Sequence, residues 1–151
     1  MRKILMGLLA LTILLSAGSA FAKLDGTWEG EGKGFCYPPF PTPYAYQIYA
    51  WQKWTGEVAD EKVFFGKWED EKGNYGEFKG EILPISPSPD IAICKGVWTW
   101  YNIFIDPPKA IEMGPFTMTF YIEKEYCEGK WWSYSAETAR PGTMWGKRVG
   151  E

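Results

Sequence analysis

Histidine is missing from all 151 residues of this chain. Its absence removes the commonest general base, the usual partner of a serine or cysteine nucleophile, and the commonest ligand for zinc, copper and iron. Cysteine is scarce. Cys36, Cys94 and Cys127 are the whole supply, without the close pair or the fourth ligand that a cysteine zinc site needs. Past the N-terminus no apolar run is long enough to cross a membrane, and no stretch keeps a helical period. Clustered positive charge is lacking as well, so nothing favours nucleic acid as a partner. The expectation is a protein with no metal and no cofactor.

Residues 1–22 read as a secretory signal peptide: Arg2-Lys3 at the start, an apolar run from Ile4 to Leu15, and Ala20-Phe21-Ala22 as a small-x-small cleavage site. The run falls short of the ~20 residues that a membrane span needs, which disfavours the alternative of an uncleaved anchor. A lipid anchor is disfavoured too, because no cysteine stands at the cleavage point. A secreted or periplasmic protein is expected, not membrane-spanning once the leader is cut, with residues 23–151 as a single domain. Cleavage removes two basic residues and no acid, so the net charge moves from −3 to −5, 14 basic against 19 acidic.

What the chain has in quantity is glycine and large rings: 17 Gly, 9 Trp, 9 Tyr and 9 Phe. They recur in one phrase, apolar-x-Gly-x-Trp. It appears as Leu24-Asp25-Gly26-Thr27-Trp28, Phe64-Phe65-Gly66-Lys67-Trp68, Cys94-Lys95-Gly96-Val97-Trp98 and Cys127-Glu128-Gly129-Lys130-Trp131. In an extended chain the first, third and fifth positions share a face. Alternation and turn residues place strands at about 24–36, 44–55, 62–69, 75–83, 91–101, 115–123, 126–134 and 143–149. The strand at 44–55 is apolar on both faces, so its inner face stays unassigned. Proline-rich stretches at 37–43, 84–90 and 106–109 break the chain between strands.

All four phrases fall on odd-numbered strands, which run the same way in an antiparallel meander. That predicts one layer of indoles at one end. Eight strands joined mainly by short loops predict an all-β, eight-stranded antiparallel up-and-down barrel, with a two-sheet β-sandwich as the alternative.

Gly26-Thr27-Trp28 on a first strand, followed by a late Arg148, resembles the opening of lipocalins and avidins, small calycin-type barrels. The resemblance implies that Arg148 packs over Trp28. It covers only these residues: the Thr-Asp-Tyr motif of lipocalins is missing, and Glu29–Gly34 differs from the biotin-contacting stretch of avidins.

Parity separates two sets of rings. Trp28, Trp68, Trp98, Trp100 and Trp131, with Phe78, Phe116, Met118 and Phe120, share inward faces and read as barrel core. The same rings could instead line a ligand cavity. Tyr37, Phe40, Tyr101, Trp132 and Tyr134 fall off that face and are the candidate ligand-binding residues, although packing under a loop explains them equally well. Cys94 and Cys127 share a phrase, a face and a strand end, which favours a disulfide. Against it, their strands are next-nearest neighbours. Glu29 with Glu31, and Glu77 with Glu81, share faces as a glycosidase pair would, but strand carboxylates of this kind are ordinarily solvated. The function expected is therefore non-enzymatic binding of a small apolar molecule or a glycan. The alternative is a structural or interaction module that meets another envelope protein.

Overall fold

The computed structural model describes residues 24–42, 44–135 and 140–151, so the leader read at 1–22 lies outside the described residues. Eight strands follow in order: β1 (Gly26–Lys33), β2 (Lys53–Ala59), β3 (Val63–Glu69), β4 (Tyr75–Ile82), β5 (Ile91–Asn102), β6 (Lys109–Tyr121), β7 (Tyr126–Trp131) and β8 (Gly142–Gly150). Each pairs antiparallel with the next, and β8 closes onto β1, giving an up-and-down barrel. Period-two alternation explains which side chains fill the interior. On β4, Gly76, Phe78 and Gly80 point inward and are buried, while Tyr75, Glu77, Lys79 and Glu81 stay exposed. The outer wall is dominated by Glu, Lys and Thr, the reverse of a lipid-facing barrel, whose outward residues are apolar.

The four phrase tryptophans all lie in the interior, at 2% exposure or less. They do not form one layer, however. Trp68, Trp98 and Trp131 meet edge to face in sequence, with centroids 5.7 and 5.4 Å apart. Trp28 packs edge-on to Phe120 instead, at 4.9 Å. The phrase sits at a different height on β1: Trp28 is the third residue of that strand, whereas Trp131 is the last of β7. Sharing a direction did not bring all four to one level.

Residues 44–52 are not strand, contrary to expectation. The described residues from Cys36 to Gln52 fold over the barrel mouth as a plug. Cys36 and Ile48 exchange backbone hydrogen bonds of 2.9 and 2.8 Å, and Ile48, Ala50 and Trp51 are wholly buried. Enclosure of this kind accounts for a stretch that is apolar on both faces. Trp51 stacks on Phe78 at 4.3 Å and lies 5.0 Å from Phe116. Its backbone takes a left-handed φ of 62°, a conformation that costs a non-glycine residue about 1 kcal/mol. Burying the indole offsets that cost.

Asp70 ties the plug down. Its carboxylate accepts from the Tyr49 N–H at 3.1 Å, the Lys72 and Asn74 N–H groups at 2.9 Å each, and the Asn74 amide at 2.7 Å. Asn74 Oδ1 in turn accepts from the Tyr46 hydroxyl and from Trp100 Nε1.

At the other mouth, Arg148 lies opposite Trp28 in register. Its Nε and Nη2 donate to the Asp25 carbonyl at 2.9 and 2.8 Å, and Nη1 pairs with Glu125 at 3.3 Å. Trp28 Nε1 donates to the Leu24 carbonyl at 3.0 Å. A further difference from expectation is that β6 begins at Lys109 rather than 115. A bulge opposite Trp98 and Thr99 turns both Met113 and Gly114 inward, which breaks the alternation and hides the strand's first half.

Candidate functional site

The barrel interior is full. Trp100, Phe78, Phe116, Met118 and Phe120 are buried beside the phrase tryptophans, and Trp51 enters from the plug. An eight-stranded barrel has room for side chains or for one small ligand, and here side chains occupy it.

Cys94 and Cys127 do not form the expected disulfide: all three cysteines are free and buried. Strand β6 separates the pair, with Cys94 opposite Met118 and Cys127 opposite Phe120. Two strand steps put them ~9–10 Å apart, and they are also out of register, beyond the roughly 7 Å that a disulfide tolerates. Burial pushes the Cys36 and Cys94 thiols from 9.0 up to about 12, and raises Cys127 in the same direction. A consequence for stability follows. Well below pH 9 every thiol is protonated in both folded and unfolded chains, so nothing is lost. Between 9 and about 12 the unfolded chain releases these protons while the folded chain holds them. Stability is therefore expected to fall by up to ~1.4 kcal/mol per thiol for each pH unit in that window. Urea midpoints measured at rising pH check this, and Cys94→Ala should lessen the slope by up to ~1.4 kcal/mol per pH unit, the part that this thiol contributes. An unchanged slope in that variant would contradict it.

Concavity lies on the outside instead. A furrow of about 1010 Å³ runs over the outer wall, with Gly30, Gly76 and Gly146 in its floor. The strand registers show how it is built. Trp145 of β8 faces Glu31 of β1, Glu31 faces Lys53 of β2, Lys53 faces Glu69 of β3, and Glu69 faces Tyr75 of β4. Beside this row runs another: Tyr126 of β7, Lys147, Glu29, Thr55, Lys67 and Glu77. Opposite charges directly across a strand pair attract, so the lanes are electrostatically self-consistent.

Rings close both ends. Trp145 is half-buried, with Lys33 Nζ 5.9 Å from its centroid. Tyr75 and Tyr101 stack on one another at 5.0 Å and 16°. The Glu77 carboxylate beside Tyr101 raises the pKa of its hydroxyl. A smaller furrow of about 620 Å³ adjoins the first, sharing Tyr126 and Trp145 and adding Trp132, Thr117, Thr119 and Thr143.

The five candidate ligand residues thus separate. Tyr101 lines the larger furrow and Trp132 the smaller. Tyr134 is exposed, its hydroxyl donating to Glu112 at 2.9 Å. Tyr37 and Phe40 belong to the plug, where Phe40 packs against Trp100 and Phe104. Of the carboxylate pairs, Glu29, Glu31 and Glu77 stand exposed among the furrow lysines. Sequence reasoning missed Trp145, Tyr75 and Tyr126. The signal for Trp145 was present, since it alternates with the inward Met144 and Gly146. Compared with known protein families, curated proteins and solved structures, the chain matches none.

Proposed function

We propose that this chain is an exported, non-enzymatic binding protein that holds a glycan against its outer wall. The observation that carries the reading is the row from Trp145 to Tyr75, in which rings flank a lane of exposed carboxylates and ammonium groups. Flat ring faces stack on the apolar faces of sugars, and charged heads bond their hydroxyls. A small apolar molecule inside the barrel is the weaker form of the idea, because the interior is packed with the chain's own rings. A glycan array followed by calorimetry tests it. Trp145→Ala is expected to weaken the best-bound oligosaccharide roughly tenfold without shifting the melting temperature. Equal affinity in variant and parent would remove the furrow from consideration.

Exposed apolar groups on the plug and beside it favour a different reading, a module that meets an envelope protein. Tyr44 is 83% exposed, Phe104 53% and Ile105 42%. Placement among calycin-type barrels, with lipocalins and avidins, is likewise our reading. Gly26-Thr27-Trp28 and the position of Arg148 opposite Trp28 support it.

A further inference from the structure

We infer that the furrow's ligand is an extended, uncharged glycan chain that lies across the strands and touches both aromatic ends at once; this rests on the reading above. Spacing is the first ground. Trp145 and Tyr75 are four strand steps apart, with Glu31, Lys53 and Glu69 facing one another between them. At ~4.8 Å per step the backbone path is ~19 Å, half the circumference of the eight-stranded barrel and longer still at the side-chain tips, so a ligand that touches both ends must be a chain that follows the wall and not a single sugar ring. Charge is the second. The furrow holds Glu29, Glu31, Glu69 and Glu77 against Lys53, Lys67 and Lys147, and in the lane from Trp145 to Tyr75 the sign alternates from strand to strand. An anionic polymer would meet a carboxylate at every other position, and a cationic one an ammonium. The topology supplies the third. A peptide that binds by strand addition needs an open sheet edge, and here β8 closes onto β1. What fits is a polymer that offers flat faces at its ends and hydroxyl groups along its length.

The test is calorimetry with uncharged glucose, mannose, galactose and N-acetylglucosamine oligomers of one to about eight units, with dextran sulfate and a casein peptide pool as comparators. A chain that reaches both ends makes its second contact intramolecularly, so affinity should climb with length and then level off. Trp145→Ala and Tyr101→Ala should each cost the longest ligand roughly tenfold and abolish the length dependence. Raising salt from about 50 to 500 mM should change affinity less than about twofold. Should either alanine variant fail to fold, Lys53→Gln with Glu69→Gln alters only exposed groups in mid-lane. It should cost several-fold for long oligomers and nothing for single sugars. Monosaccharides binding as tightly as octamers, length dependence surviving in Trp145→Ala, or tight salt-sensitive capture of dextran sulfate would overturn this inference and leave an outer-wall glycan site standing. Failure of every oligosaccharide, or capture of casein peptides in their place, would overturn both.

Discussion

Trp98→Ala is expected to cost about 3–5 kcal/mol, a large part of the 5–15 kcal/mol by which an ordinary domain is stable. Trp98 is wholly buried and stands between Trp68 and Trp131, edge to face with both. Its removal empties the middle of that ladder and forfeits two aromatic contacts worth ~0.5–1.5 kcal/mol each beyond their area. It also takes the Nε1 donor from the Trp132 carbonyl, 2.8 Å away, where the chain leaves β7. The neighbouring indoles cannot collapse into the gap, because each is fixed by its own strand. Urea unfolding followed by circular dichroism measures the loss. A cost below about 1 kcal/mol would mean that the ladder is not what holds the barrel together.

Gly30→Ala should be at least as damaging, for the opposite reason. Gly30 faces Gly146 across the β1–β8 seam that closes the barrel. A methyl group there would sit 1.9 Å from the Trp145 carbonyl oxygen, 2.6 Å from Trp54 Cζ2 and 2.7 Å from the Gly146 Cα. Two of those three atoms are backbone and cannot yield without parting the seam. Overpacking ordinarily costs ~1–3 kcal/mol when side chains can shift; here the expected loss is ~3 kcal/mol or more. Gly150→Ala, with its nearest neighbour at 3.9 Å, is the matched control and should be close to neutral. Equal melting temperatures for the two variants would contradict the account.

These two sites also show how much the chain declared in advance. The repeated phrase pairs a glycine gap with an indole, and period two turns both inward, so an all-β barrel with an indole interior was readable from residues alone. Where one face met water and the other the core, strand limits came out close: β3, β4 and β5 each differ from expectation by one residue. The plug escaped because Tyr44, Tyr46, Ile48, Tyr49 and Trp51 put apolar residues on both parities. Alternation carries no information when a segment is enclosed rather than paired. The clean alternation of Trp54, Gly56 and Val58 against Lys53, Thr55 and Glu57 lay just beyond it.

The furrow escaped for a subtler reason. Its parts, Trp145, Glu31, Lys53, Glu69 and Tyr75, lie on five strands, and only the register sets them in a row. Parity tells which way a side chain points, but not which residue on the next strand it faces. Of the five ligand candidates chosen by parity or by proline context, Tyr101 alone lines the larger furrow.

The packed interior has an optical consequence. Seven of the nine indoles lie at 3% exposure or less, leaving Trp132 and Trp145 as the pair that solvent reaches. Emission from the intact chain should be centred well to the blue of free tryptophan, and iodide should darken only the minor red-edge fraction. That fraction sits at the junction of the two furrows, so the wavelengths at which the chain can report an outside visitor are set by two rings out of nine.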